Sequence, residues 1–325
     1  MGENKVSLAK SKSWLLLGLA LVLLVSCSNT PPIDTSNPVA FNHSTKVFAL
    51  LVPGSWKQAQ DQVETEALAA FSDPTGRAEI VAYAGLLDRR LSDEEGTTIV
   101  TGLIKTLLNS PADLQIGQVQ RRADGAFVAP VNFTRNQQKR AGQAVFRDTD
   151  LALSGVIISG PTENWTDLQK ALQLFADSFR VDRTTIEGSY FVPLDGKTYA
   201  LAVPADWQRT SGTSNIRLKS RTGDMAIYTT ERPISPTLTT PELVAQATLA
   251  LRQSFALNAS ASSSEQLPDG RTKITFDRSQ HRVIGYVEQK GSNFTGLFFD
   301  VPADRADAYQ PFIDFVYSTF VTGLQ

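Results

Sequence analysis

The chain has 325 residues, 42% of them hydrophobic and 20% charged, with a formal net charge of −2. This composition describes a folded globular protein, and the length exceeds that of one ordinary domain, so two domains are the starting expectation. The mild acidity offers no electrostatic footprint for nucleic acid or for anionic headgroups. A single cysteine and two histidines exclude an internal disulfide, a thiolate metal cluster and a Cys–His catalytic pair, and leave almost no ligands for a transition metal.

Lys5, Lys10 and Lys12 precede an apolar run over residues 14–25 that is short for a membrane span. The run closes on Leu24-Val25-Ser26-Cys27, which resembles the bacterial lipobox. That resemblance implies a lipoprotein signal peptide over residues 1–26, lipid on Cys27, and an extracytoplasmic chain anchored to a bacterial membrane. The competing reading is a chance cysteine after an ordinary cleaved signal. Anchors of this kind carry more than one acyl chain, and stable attachment takes more than one. Loss of residues 1–26 removes three Lys and one Glu and takes the net charge from −2 to −4, so the membrane link is expected to be the lipid alone. Residues 27–43, rich in Pro, Ser, Thr and Asn with no apolar period, read as the lipidated Cys and a flexible tether. His43 at its end reads as a solvated linker residue.

Beyond the tether the chain can be laid against itself. Lys46-Val-Phe-Ala-Leu-Leu-Val-Pro53-Gly-Ser-Trp56 and Lys197-Thr-Tyr-Ala-Leu-Ala-Val-Pro204-Ala-Asp-Trp207 are apolar runs closed by Pro-x-x-Trp, 151 residues apart. Thr75-Gly76 matches Thr222-Gly223, and Ser92 and Glu95 match Thr239 and Glu242, at an offset of 147. Asp124-Gly125 matches Asp269-Gly270 at 145; Ser154-Gly155-Val156 matches Thr295-Gly296-Leu297, and Phe179 matches Phe320, at 141. The offset only shrinks, in steps expected to fall in loops, as in a diverged duplication. Two tandem domains are therefore expected, over residues 44–183 and 188–325, with residues 180–188 as a short connection.

Each half is predicted to run strands, helix, strands, helix. Residues 46–52 form a buried strand that Pro53 ends, having no N–H to donate. Asp73-Pro-Thr-Gly76 is a hairpin turn between residues 67–71 and 78–83. Ser92-Asp-Glu-Glu95 and Thr239-Thr-Pro-Glu242 are capping boxes that start helices over 93–108 and 240–255. The two Asp-Gly pairs are two-residue hairpin signals. Strands follow over 143–147 and 151–159, and over 283–288 and 294–300. Trp165, Leu168, Leu172, Phe175 and Phe179 share one face of the closing helix of the first half, as do Ala306, Tyr309, Ile313, Val316 and Phe320 in the second. These stripes read as packing against a sheet. Trp56 and Trp207 read as plugs over the open end of each sheet rather than as pocket walls.

A strand ending in Pro-x-x-Trp, an early hairpin, a helix, antiparallel strands and a closing helix ending in Ser/Thr-Phe resembles the PsbP/DcrB-like superfamily. Residues 48–56 and 168–179 carry the resemblance, and residues 199–207 and 309–320 repeat it. It implies an α+β fold, two tandem copies of an antiparallel β-sheet packed with helices in an α/β/α sandwich. Some members are extrinsic subunits of photosystem II and others are bacterial lipoproteins. None supplies a catalytic motif that transfers to numbered residues of this chain.

A hydrolytic triad needs a His between a nucleophile and a carboxylate. His43 lies in the tether, and His281 reads as a half-exposed strand residue beside Arg282. Gly-x-Ser-x-Gly, His-Glu-x-x-His, P-loop and dinucleotide-binding patterns are all missing from the sequence. Asp93-Glu94-Glu95 opens a helix, where acidic side chains offset the positive end of the helix dipole, and Asp300, Asp304 and Asp307 have the same reading ahead of the last helix. Arg135, Lys139, Arg140 and Arg147 flank a predicted turn and are the candidate partner patch; the plainer reading is a charged strand edge. No catalytic residue, metal site, cofactor or nucleic-acid partner is assigned, and an enzyme is not expected. The expected role is a non-enzymatic protein-binding or scaffold module at the membrane. The alternative is a small-ligand carrier or sensor using the inter-domain cleft, with the small molecule itself left open.

Overall fold

The computed structural model describes residues 32–63, 66–149, 151–210, 214–235 and 237–324. The expected signal peptide and Cys27 lie outside these residues. Thr35–Gln325 forms one compact unit. Among the described residues no helix is long and apolar enough to cross a membrane.

The first half opens with β1 (Pro38–Asn42), β2 (Phe48–Pro53), β3 (Lys57–Val63), β4 (Glu66–Ser72) and β5 (Glu79–Leu86). Helix α1 (Asp93–Leu107) follows, then the short β6 (Gln115–Ile116) and β7 (Gln120–Arg121), then β8 (Phe127–Arg135), β9 (Gln138–Thr149) and β10 (Ala152–Pro161). Helix α2 (Trp165–Ser178), β11 (Arg180–Val181) and α3 (Arg183–Tyr190) end it. The strands form an antiparallel sheet in the order β3-β4-β5-β10-β9-β8-β6, and a small sheet in the order β1-β2-β11. Along β8, Phe127, Ala129, Val131 and Phe133 alternate inward with period two. They meet Val100 and Ile104 of α1, Phe146 of β9 and Leu153 of β10 in one cluster on one face of the sheet. Helix α2 packs on β10, β9 and β2, turning Leu168, Leu172 and Phe175 inward. Cover on both sides is why every residue of β10 is buried.

The second half has β12 (Phe191–Asp195), β13 (Tyr199–Pro204), β14 (Gln208–Thr210), β15 (Asn215–Lys219), β16 (Ala226–Pro233), α4 (Thr240–Phe255), β17 (Ser260–Gln266), β18 (Thr272–Arg278), β19 (His281–Lys290) and β20 (Asn293–Pro302). A 3₁₀ stretch, Ala303–Tyr309, leads into α5 (Gln310–Ser318) and β21 (Val321–Thr322). Its sheets read β14-β15-β16-β20-β19-β18-β17 and β12-β13-β21, the same order as in the first half. Two of the offset steps fall in hairpins. Lys57 pairs with Ser72 and Gln208 with Lys219, so the change from 151 to 147 is a hairpin four residues shorter. Phe133 pairs with Arg140 and Arg278 with His281, which places the change from 145 to 141 in the β8–β9 turn.

The turns and caps behave as their residues dictate. Ser92 accepts from the Glu95 N–H while Glu95 accepts from the Ser92 N–H, and Glu242 accepts from the Thr239 N–H at 2.7 Å. Gly76, Gly125, Gly223 and Gly270 all have positive φ, which their tight turns require. Trp56 and Trp207 are both buried, and Trp207 stacks on Phe312 at 5.3 Å.

Three expectations need correction. Pro38–Asn42, placed in the tether, pairs with β2 as a strand. That pairing draws His43 inward: it is 1% exposed, lies 4.9 Å from the Phe48 ring, and its Nδ1 bonds Thr45 Oγ1 at 2.8 Å. Residues 180–188 are not a bare connection, because β11 pairs with β2 and α3 packs Ile186 and Tyr190 inward.

Candidate ligand groove and the junction between the halves

Arg147 of β9 stands opposite Ser154 of β10, and Thr149 opposite Ala152. Alternate positions share a face, so these four side chains lie together, on the side away from Phe146, Leu153 and α1. Helix α2 covers this face only as far as its C-terminal end. Beyond it a cavity of about 500 Å³ opens, floored by these residues and Leu151 and walled by Asp177, Phe179, Arg180, Val181, Arg183 and Ile186.

Local structure fixes the wall. Arg180 and Val181 pair with Ala49 and Phe48, and the Asp182 N–H donates to the Val47 carbonyl at 2.9 Å. Asp182 then caps α3, its Oδ1 accepting from the Thr185 N–H at 3.1 Å. Arg180 donates to the Asp177 and Phe179 carbonyls at 2.6 and 2.7 Å. Arg147 bonds Asp124 at 3.1 Å, and Arg183 bonds Glu187 at 2.8 Å. Of the four charged residues lining the cavity three are arginines and one is an aspartate, in a chain whose net charge is negative.

At the same place in the second half, side chains reach across the sheet. Lys290 stands where Thr149 does, and its ammonium donates to the Thr322 carbonyl at 3.1 Å and hydroxyl at 3.0 Å. Arg271, at the position of Ala126, lies 5.2 Å from the Tyr317 ring and 5.0 Å from the Phe320 ring and donates to the Phe320 carbonyl at 2.6 Å. Glu288 stands for Arg147, within 3.7 Å of Arg271 and 3.8 Å of Lys290.

A second charged locus joins the halves. The Arg89 guanidinium, 8% exposed, meets Asp88 at 2.8 Å, Glu95 at 3.0 Å and Asp224 of the second half at 3.9 Å. Arg305 of the second half reaches the same Glu95 oxygen, and the Arg90 N–H donates to the Ala308 carbonyl at 2.9 Å. Burial alone would push the Glu95 carboxyl up, but the Ser92 N–H, Arg89 and Arg305 together hold it below its ordinary value. For Asp88 burial outweighs Arg89 and the pKa is raised. Burial also pushes the Tyr309 hydroxyl up to about 12. A cavity of about 190 Å³ lies beside this network, between Leu87, Asp88 and Ile99 of one half and Trp207, Asp206 and Arg221 of the other. Arg221 pairs with Asp206 there at 2.6 Å.

The four candidate patch residues do not share a surface. Arg140 is 2% exposed and converges with Arg135 on the buried Glu79, while Lys139 is exposed and Arg147 stands at the groove. The cause is β9 itself, which extends past the expected residues 143–147 and carries Arg140 into the sheet. Asp300 is not a helix-start residue: it is buried on β20 and accepts from Arg278 at 2.7 Å and pairs with His281 Nδ1 at 2.9 Å. His281 is half-exposed, as read from sequence. The basic residues of α3 and β11 escaped sequence reasoning because they fall in the presumed connection; Arg180 and Arg183 within four residues were the signal. Among the described residues no group of three or more His, Cys, Asp or Glu side chains is placed to hold a metal ion.

The architecture defines an α+β protein of antiparallel sheets with helices on their faces and an open, arginine-lined groove. No protein-family model and no curated protein matches the sequence. Among solved structures the chain is similar in fold to a cyanobacterial PsbP (CyanoP) from Synechocystis sp. PCC 6803, at 16% identity and a TM-score of 0.35 over 49% of this chain and 99% of that one. It is likewise similar to a mutant of the protein Mog1, at 15% identity and a TM-score of 0.31 over 46% of this chain and 99% of that one. A protein from Bacteroides thetaiotaomicron VPI-5482 matches 85% of this chain and 98% of its own length, at 11% identity and a TM-score of 0.29.

Proposed function

We propose that this chain is a lipid-anchored, extracytoplasmic binding module, built from two tandem copies of one α+β unit, that holds its partner without catalysing a reaction on it. The shared strand order and the stepwise offsets support the duplication. The lipobox-like residues ending in Cys27 support the anchor. The observation that carries the binding reading is the groove: it is open and arginine-lined in the first half, while at the matching place in the second half Lys290 and Arg271 reach across to the Thr322 and Phe320 carbonyls. The cavity at the junction fits the carrier alternative less well. At about 190 Å³ it is smaller than the roughly 300–1,000 Å³ common for ligand sites, and its charges pair among themselves.

The test uses the full-length chain in its own membranes, with a photo-crosslinking residue in place of Thr149. A covalent adduct is expected at this position and is lost when Arg147, Arg180 and Arg183 are changed to Glu. An uncrosslinked chain would overturn the binding reading. Cys27→Ala should move the chain to the soluble fraction; retention in the membrane fraction would overturn the anchor.

A further inference from the structure

Tandem units that meet through a polar interface ordinarily move against each other. We infer that here they do not: the junction locks the two halves into one rigid, cooperatively unfolding body, with no hinge between them. The lock stands on contacts apart from the groove and holds whether or not the groove binds.

The connection has no residues to spare. From Arg180 to Asp195 every residue belongs to β11, to the cap and body of α3, or to β12, which starts at Phe191 directly after Tyr190. A hinge needs loop or element-terminal residues free to absorb large φ/ψ changes. The boundary at Tyr190 is instead tied to both halves. Its buried hydroxyl donates to the Ala84 carbonyl of β5 at 2.9 Å, and its carbonyl accepts from the Ala205 N–H at 3.0 Å.

Directional contacts then fix the angle between the halves. Arg89, 8% exposed, spans Asp88 and Glu95 of its own half and Asp224 of the other, and lies 5.6 Å from the centre of the buried Tyr309 ring. Arg305 returns the exchange by pairing with Glu95, and the Arg90 N–H donates to the Ala308 carbonyl at 2.9 Å. A guanidinium fork has a fixed planar geometry, so a small rotation of either half breaks several of these bonds together. The contact sets the start of α1 against residues 303–309, unlike surfaces of the two copies, and such head-to-tail contacts can propagate to further copies. At the offsets that align the halves, Pro236 stands for Arg89 and Asn164 for Arg305, so the free surfaces do not repeat it. A ligand of the groove therefore enters and leaves without the halves closing on it.

The test is hydrogen exchange of the full-length chain with and without Phe298→Leu, a substitution in the core of the second half. The slowest amides of β10 and of β20 report the global opening of each half. One body predicts equal protection in the two strands, and a loss of about tenfold or more from both in Phe298→Leu. Protection lost from β20 alone overturns the lock, as does unequal protection in the parent chain. Should Phe298→Leu unfold the protein, Ile284→Val replaces it, with a smaller loss that must still be equal in both strands. Arg305→Gln/Asp224→Asn keeps the Arg89–Glu95 pair, and in that background the loss passed to β10 should fall about threefold or more. Undiminished transmission would overturn the junction charges as the lock.

Discussion

Where β9 and β10 pass the end of α2, the first half leaves room for a ligand; where β19 and β20 pass Phe320, the second half spends the same space on its own side chains. The strands agree, and two things separate the places: α3, which supplies Arg183 and Ile186 to the wall, has no counterpart among the described residues, and Ala126, Thr149 and Arg147 stand against Arg271, Lys290 and Glu288. A second contrast runs the other way. In the first half Glu79 on β5 faces Ser159 on β10; in the second, Ala226 on β16 faces Asp300 on β20. The acid has changed strands, yet each half still keeps a buried carboxylate here against two basic side chains, Arg135 and Arg140 in one, Arg278 and the His281 ring in the other. A buried charge must be paired, but physics does not say by which residue, so the site persists while positions drift.

The sharpest way to break the comparison is at the matched capping boxes. Glu95 and Glu242 both close a box, but Glu95 also neutralises Arg89 and Arg305. Glu95→Ala takes one of three carboxylates from the buried Arg89 and the one nearest Arg305, and is expected to cost about 2–3 kcal/mol in urea denaturation. Glu242→Ala should cost far less, because its carboxylate only caps. Equal losses would mean that the junction contributes nothing to stability.

Next in size are two matched glycines. A Cβ on Gly155 would meet the Val145 carbonyl and the Phe146 backbone, whereas one on Gly296 would meet the Phe298 ring and the Thr230 methyl. Backbone yields less than side chain, so Gly155→Ala should cost about 1–3 kcal/mol more than Gly296→Ala in the same assay. The reverse order would mean that the first sheet relaxes more readily than the second.

A smaller and pH-dependent difference sits at the first hairpin. Asp73 accepts from the Ala78 N–H at 2.7 Å and from Thr75, where the second half has Ser220 accepting from the Met225 N–H at 3.2 Å. Burial pushes the Asp73 pKa up, but these hydrogen bonds outweigh it and the pKa is lowered. A lowered acid contributes stability above its unfolded pKa and loses it as the pH falls through the folded value. Asp73→Ser should therefore cost about 1 kcal/mol at neutral pH, and the cost should shrink once the pH drops below about 4. A cost independent of pH would assign the effect to shape rather than to charge.

The smallest change is at the junction's aromatic. Tyr309 is buried, and its hydroxyl has no hydrogen-bond partner among the described residues. Tyr309→Phe is expected to lie within about 1 kcal/mol of the parent at neutral pH. A phenol whose folded pKa is raised to about 12 costs stability as pH rises through the ordinary tyrosine value of 10.0, so the variant should lose less stability across that window. Identical alkaline profiles would mean that Tyr309 does not ionise on unfolding there.

Much of the frame could be read from the residues. Ser92 and Glu95, Thr239 and Glu242, the Asp-Gly turns and the two Pro-x-x-Trp runs are local signals, each decided by the backbone groups of its neighbours. Hidden from that reading were pairings at long range: Glu95 with Arg305, Arg140 with Glu79, Asp300 with His281. A charge beside a helix start looks like a cap whether or not a second cation lies 210 residues further along the chain. His43 was misread for a related reason, since nothing local marks Pro38–Asn42 as a strand until β2 offers it a ladder.

By itself, then, the sequence determined the capped helices, the places where turns fall, and the offsets that align its two halves, because these rest on φ/ψ preference, capping and period. Only the tertiary structure decided that Arg147, Arg180 and Arg183 line one cavity and that Lys290 reaches to Thr322 at the matching place. Those outcomes depend on which faces meet across a sheet and how much volume the meeting side chains leave. Volume is a property of the packed chain and not of any stretch of it.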